Sequence, residues 1–140
     1  MKTALNLGFA LLLLIGIASC SDRDDENVIT DISPVMIDSV QIPHDTMNLY
    51  TVQEIKVFSP YQKGCEGFWR YDYLYSAEFV RTVINHKFKT GNTCENEVIT
   101  GASRINFQPM ETGIYTFRFW NGFNEQQENK WIEKQIVVLP

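Results

Sequence analysis

Two histidines, His44 and His86, are the side chains that titrate near neutrality, and neither has the company that acid–base or metal chemistry needs. His44 sits in the turn-forming triplet Pro43-His44-Asp45, and His86 sits on a strand, so both read as surface or sheet-interface histidines. Nucleophilic catalysis requires a hydroxyl or thiol beside a base, and two-carboxylate catalysis requires paired acids with separated pKa values. The acids of the domain are spread singly, and Glu95 with Glu97 reads as solvated loop. Cys65 and Cys94 with the two histidines show none of the close paired spacings of zinc sites. No catalytic residue, metal ligand or cofactor is therefore assigned, and an enzyme ranks behind the non-catalytic readings.

Binding chemistry lies in the aromatic residues. Within Glu66 to Tyr75, period-two alternation puts Trp69, Tyr71, Tyr73 and Tyr75 on one side and Phe68, Arg70, Asp72 and Leu74 on the other. Flat rings stack on sugar faces or anchor protein partners. If Phe68 and Leu74 pack inside, the Trp and Tyr set lies outside, with Arg118 and Trp120 nearby. Otherwise that set is core or covers the sheet. The candidate binding residues are Trp69, Tyr71, Tyr73, Trp120 and Phe123; Phe123 belongs to the polar loop Asn121–Asn129, an alternative binding element with a mobile hairpin tip as its plain reading.

The chain must first be placed in a compartment. Lys2 followed by the apolar run Ala4–Ile17 has the form of a secretory signal over residues 1–19. That run is shorter than the roughly 20 residues needed to span a bilayer. Its end, Ile17-Ala18-Ser19-Cys20, resembles the bacterial lipobox. The resemblance implies cleavage before Cys20, a diacylglycerol on its thiol and an acylated amino terminus, a durable anchor because each buried methylene contributes about 0.8 kcal/mol. The acidic run Ser21–Glu26 opens a solvated tether assigned to residues 20–33. It also resembles the export signal of Bacteroidetes-type lipoproteins, which implies the outer face of the outer membrane; a charged periplasmic linker is the competing reading. Asp38-Ser39-Val40 and Asp45-Thr46-Met47 resemble the O-glycan acceptor triplets of such exported proteins, which would modify Ser39 and Thr46.

Charge and cysteines fit that address. The formal charge is −5 over 140 residues; losing Lys2 makes it −6, and the five acids and one arginine of residues 21–31 leave −2 for residues 32–140. The acidity sits in the tether, and the nearly neutral domain has no electrostatic footprint for nucleic acid. With Cys20 assigned to lipid, Cys65 and Cys94 reach an oxidising compartment, where a disulfide is the default. Its loop of about 30 residues would add roughly 3–4 kcal/mol in the chain-entropy description.

Residues 34–140 form one domain of ordinary size. Strands are expected at Val35–Ile42, at Thr51–Phe58 with a bulge where alternation breaks, at Glu66–Tyr75, Phe79–Phe88, Arg104–Gln108, from Tyr115 onward, and at Trp131–Leu139. Lys89–Glu97 reads as a polar loop carrying Cys94, and no stretch shows a helical period. The run Met110-Glu111-Thr112-Gly113-Ile114-Tyr115-Thr116-Phe117 resembles the segment leading into strand F of immunoglobulin-like domains, with Phe117 in the place of the antibody-type cysteine. The resemblance implies an immunoglobulin-like β-sandwich of about seven strands and structural roles for Gly113 and Tyr115, the tyrosine hydroxyl bonding upstream backbone. Tyr115, Phe117 and Phe119 would then point to the core, with Thr116, Arg118 and Trp120 facing away.

Taken together, Gly64-Cys65-x-x-Phe68, Val83-Ile84-Asn85, Cys94 and Gly113-x-Tyr115-x-Phe117-x-Phe119-Trp120 resemble small Bacteroidetes lipoproteins of uncharacterised function. The expectation is a lipid-anchored, non-catalytic binding or structural module at the outer membrane, joined to the membrane by its anchor and to a surface protein or glycan by loops or an aromatic face. A loop-mediated protease inhibitor and a glycan-binding accessory protein are the alternatives.

Overall fold

The structure is a computed structural model and describes residues 28–140. Residues 1–19, read as a signal peptide, Cys20, read as a lipidation site, and the acidic run Ser21–Glu26 lie outside the described residues. The described chain is all-β, with strands β1 (Ile29–Val35), β2 (Ser39–Gln41), β3 (Thr46–Asn48), β4 (Gln53–Gln62), β5 (Glu66–Ala77), β6 (Val80–Thr90), β7 (Val98–Phe107), β8 (Gly113–Phe123) and β9 (Asn129–Leu139). They form a three-stranded sheet, β2-β4-β7, and a six-stranded sheet in the order β1-β6-β8-β9-β3, with β5 on the other edge of β6.

Strand β6 is the hub. Its whole length pairs antiparallel with β5; on its opposite edge residues 80–83 run parallel to β8 and residues 85–90 antiparallel to β1, so β1 and β8 lie end to end. A second parallel pair joins β3 to β9. Arg81, Thr82 and Val83 are buried consecutively, which period-two burial alone would not give; Thr82 Oγ1 is hydrogen-bonded to Ser76 Oγ of β5 at 2.6 Å.

The core lies between the sheets. From β4 come Ile55 and Val57, from β7 Ile105 and Phe107, from β8 Tyr115, Phe117 and Phe119, and from β9 Ile136 and Val138. Phe117 and Phe119 are fully buried and stacked at 6.0 Å, while Phe107 meets Tyr115 and Phe117 edge-on at 5.0 and 4.9 Å. Burying each such phenylalanine contributes about 1.5–3 kcal/mol. The inward phase of Tyr115, Phe117 and Phe119 is the one expected from alternation, with Thr116, Arg118 and Trp120 half-buried on the other side.

The Tyr115 hydroxyl donates to the Glu111 carbonyl at 3.1 Å, closing the corner that leads into β8. Gly113 precedes it because a Cβ there would come within 3.0 Å of the Phe79 ring, which packs edge-on against Tyr115 at 5.1 Å. Cys65 and Cys94 are joined in a disulfide that ties the start of β5 to the loop before β7.

Several strand expectations are revised. The stretch Val35–Ile42 is two strands: after β1 the chain crosses between sheets, with Ile37 N–H donating to Trp120 O at 2.9 Å and Asp38 N–H to Phe58 O at 2.8 Å. Ile37 is fully buried at the crossing. Strand β1 opens at Ile29, inside the stretch read as tether. Strand β4 carries no bulge; its pairing with β7 is regular from Gln53 to Gln62, and Gln53, Ile55, Val57, Ser59 and Tyr61 face inward. The bulge lies in β5 instead, where the register shifts between Phe68 and Arg70.

Candidate functional site

The bulge at Trp69 decides what the aromatic strand presents. Because one residue is inserted there, the alternation slips, and the Phe68 ring meets Tyr71 at 4.8 Å although sequence parity put them on opposite sides. The four-aromatic set is thereby divided. Tyr71 and Tyr73 turn toward the core and pack against it, Tyr75 continues their line at the surface, and Trp69 stands apart, 43 % exposed.

Among the described residues, strand β5 pairs only with β6 and β7 only with β4, so each sheet ends in an open edge on this side of the molecule. The two edges are tied by a hydrogen bond between the Tyr71 hydroxyl and Ser103 Oγ, and Ser103 Oγ in turn reaches Val57 O at 3.4 Å. Deeper between the sheets, the fully buried Asn85 donates through Nδ2 to Ser59 Oγ and Tyr61 Oη, both at 2.9 Å. Polar contacts of β5 and β6 with β4 and β7 thus fix the distance between the sheets.

Beyond Tyr71 the edges part to form a groove of about 770 Å³. One wall is Tyr71, Tyr73 and Tyr75; the other is the run Arg104–Glu111 at the end of β7 and the corner after it, with Arg81 and Tyr115 also contributing. A volume of this size suits a small ligand or a few sugar units, and ring faces with planar polar side chains are the lining such ligands use.

Arg81 is the electrostatic feature of the groove. It is 8 % exposed, it stands opposite Tyr75 in the β5–β6 register, and its guanidinium lies 4.4 Å from the centre of that ring and 5.1 Å from that of Tyr115. Nη1 donates to the carbonyls of Ala77, Glu78 and Val80 at 3.3, 2.9 and 3.2 Å. None of the ion pairs among the described residues includes it. Burial pushes the phenols of Tyr71 and Tyr73 up to about 12, opposed at Tyr71 by the Ser103 hydrogen bond and at Tyr73 by the Arg81 cation. Both therefore remain protonated near neutral pH, Tyr71 with its hydroxyl engaged by Ser103.

Of the residues singled out from sequence, the groove gathers Tyr71, Tyr73 and Tyr115. Trp69 is not among its lining residues. Trp120 and Phe123 pack edge-on against each other at 5.4 Å, and Trp120 Nε1 donates to Asn129 Oδ1 at 2.9 Å, within the β8–β9 hairpin. Of the expected loop Asn121–Asn129, residues 121–123 and 129 belong to strands and residues 124–128 form the hairpin tip, closed by Asn124, whose Oδ1 accepts from the N–H groups of Gln126 and Glu128 at 3.0 and 2.8 Å. Phe123 stays 54 % exposed there.

His44 is held by its backbone, with its N–H donating to Gln53 Oε1 and its carbonyl accepting from Gln53 Nε2 at 2.9 and 3.0 Å. His86 Nε2 lies 3.6 Å from Asp72 Oδ2 on the β5–β6 pair. Ser39 and Thr46 are exposed. Sequence reasoning missed Arg81 and the β7 wall; Arg81 is one of three cations in β6, with Lys87 and Lys89, and the strand's own pattern does not single it out. No protein-family model, no curated protein and no solved structure matches the chain.

Proposed function

We propose that this protein is a lipid-anchored, non-catalytic binding module at the outer membrane, displayed on the cell surface, that receives its ligand in the groove between the open edges of β5 and β7. The observation that carries the reading is the groove itself, walled by Tyr71, Tyr73 and Tyr75 and bottomed by a buried cation. Its lining supplies ring faces, phenol hydroxyls and planar amides, which hold a ligand by stacking and hydrogen bonds. The anchor is argued from the lipobox ending in Cys20 and the acidic run after it. Two further features favour an immunoglobulin-like ancestry for the domain: the corner made by Tyr115 on Glu111 and the packing of two sheets over an aromatic core. The parallel pairing of β6 with β8 departs from the antiparallel sheets of that fold.

The groove reading is tested on a mixed array of glycans and short peptides probed with the full chain and with Tyr75→Ala. Tyr75 is 73 % exposed, so its removal leaves folding nearly untouched while taking the outermost ring from the tyrosine wall. The array signal should fall about tenfold at unchanged melting temperature. Equal signal from the two proteins sinks the groove as the binding surface. The anchor is tested separately by Cys20→Ser, which should release the protein from membranes; normal retention contradicts it.

A further inference from the structure

We propose that the groove is a subsite for a sugar carboxylate, with Arg81 as the group that takes it, so that the module recognises acidic glycans of the hexuronate class. The inference rests on the groove reading above and names its ligand.

A guanidinium that is 8 % exposed has lost most of its hydration, and proteins ordinarily repay that loss with a carboxylate. Arg81 has none. Nη1 donates to three carbonyls of the turn around residues 77–80, the Tyr73 phenol lies within reach of the guanidinium, and the faces of Tyr75 and Tyr115 cover part of it. The neighbouring acids do not close on it: Glu78 and Glu111 line the groove without forming an ion pair with Arg81, and Arg104 is engaged with Glu54 at 3.4 Å. The groove thus opens on a fixed, partly dehydrated cation with donors in a planar fork, the geometry that accepts a carboxylate in two parallel bonds.

The surroundings choose among carboxylates. Tyr75 and Tyr73 meet edge-on at 5.6 Å, and Arg81 occupies one face of Tyr75, which leaves its other face to stack on a sugar ring. Asn106, Gln108 and the carboxylates of Glu78 and Glu111 supply partners for hydroxyls. On the β5 edge an added peptide strand is disfavoured, because register shifts at Phe68/Arg70 and again at Tyr75/Ala77 interrupt it and an added ladder needs a regular edge.

The test is calorimetric titration of the detergent-solubilised full chain with three probes: trigalacturonate, the neutral trigalactoside of the same linkage, and an acetylated tripeptide with a free carboxyl terminus. Trigalacturonate should bind at least tenfold more tightly than the neutral sugar, the gain expected of a charge-assisted pair. Arg81→Gln should bring the two sugars to equal affinity, and Arg81→Lys, which keeps the charge without the fork, should fall between. If Arg81→Gln fails to fold, the ratio of the two sugars on the unsubstituted protein decides alone. Equal affinity for the acidic and neutral sugars overturns the role of Arg81 and leaves the groove reading standing. Binding of the peptide but of neither sugar overturns the glycan class. Silence of all three probes overturns this inference, and the array with Tyr75→Ala then judges the groove independently.

Discussion

Truncating Asn85 to alanine should cost this domain about 2–4 kcal/mol. Asn85 is fully buried in β6, and its amide is the donor to both Ser59 and Tyr61 of the facing sheet, at 2.9 Å each. The substitution leaves a fully buried serine hydroxyl and the Tyr61 phenol, 4 % exposed, without that donor in a site closed to water. Each hydrogen bond contributes about 1 kcal/mol net, and stranding its buried partner adds about 1–3 kcal/mol, so two bonds with partial relaxation give the range stated. Ser59→Ala should cost only about 1 kcal/mol, because Asn85 keeps its bond to Tyr61. The assay is urea denaturation of the full chain followed by far-ultraviolet circular dichroism, with the midpoint compared at constant slope. A loss for Asn85→Ala below about 0.5 kcal/mol, the level of an ordinary surface change, would refute the claim that these contacts set the distance between the sheets and with it the width of the groove.

Further outcomes follow from the same structure. Of the six tyrosines, Tyr71 and Tyr73 should ionise late in an alkaline titration followed at 295 nm, near pH 12. Because their folded-state pKa lies above the unfolded value of about 10, the associated stability is complete below pH 10 and is lost as pH rises toward 12. Tyrosines all titrating together near 10 while the fold persists would contradict their burial. Glu66 offers the acid-side counterpart: burial pushes its pKa up, but its bond to Lys87 at 2.6 Å and the N–H of Gln62 at 2.9 Å outweigh that and hold it below 4.5. Its contribution is therefore present above the ordinary glutamate value and is lost as pH falls through the depressed one, so Glu66→Gln should flatten stability against pH below about 4.5. Gly113→Ala should cost about 1–3 kcal/mol by pressing its Cβ on the Phe79 ring, measured as a lowered urea midpoint; an unchanged midpoint would show that the ring moves freely.

The disulfide and the inward ladder of β8 were legible because each rests on a local rule. Two cysteines in the folded part of a chain read as exported are expected to pair with each other, and alternation from Tyr115 to Phe119 needs only an unbroken strand. The corner at Tyr115 was legible through the residues around it. What escaped has a common physical cause, since alternation carries no mark of where its phase slips or which sheet it serves. The extra residue at Trp69 reverses which neighbours share a side, so Phe68 joined Tyr71. The crossing at Ile37 preserves an apolar–polar rhythm while moving the chain from one sheet to the other, and two strands read as one. Strand β7 begins at Val98 with exposed residues, which no burial pattern flags. The groove was least legible of all, because Tyr75, Arg81 and Asn106 belong to three strands whose order in the sheets is not written in any one of them.

The most direct measurement is hydroxyl-radical footprinting of the full chain with and without the probe that binds it most strongly on the array. Tyr75 and Met110, 73 % and 65 % exposed on the groove, should lose oxidation together when the probe is bound, while Phe123 in the β8–β9 hairpin, 54 % exposed, keeps its rate. Protection of Phe123 and Trp120 with Tyr75 and Met110 unchanged would move the binding surface to the hairpin and contradict the account.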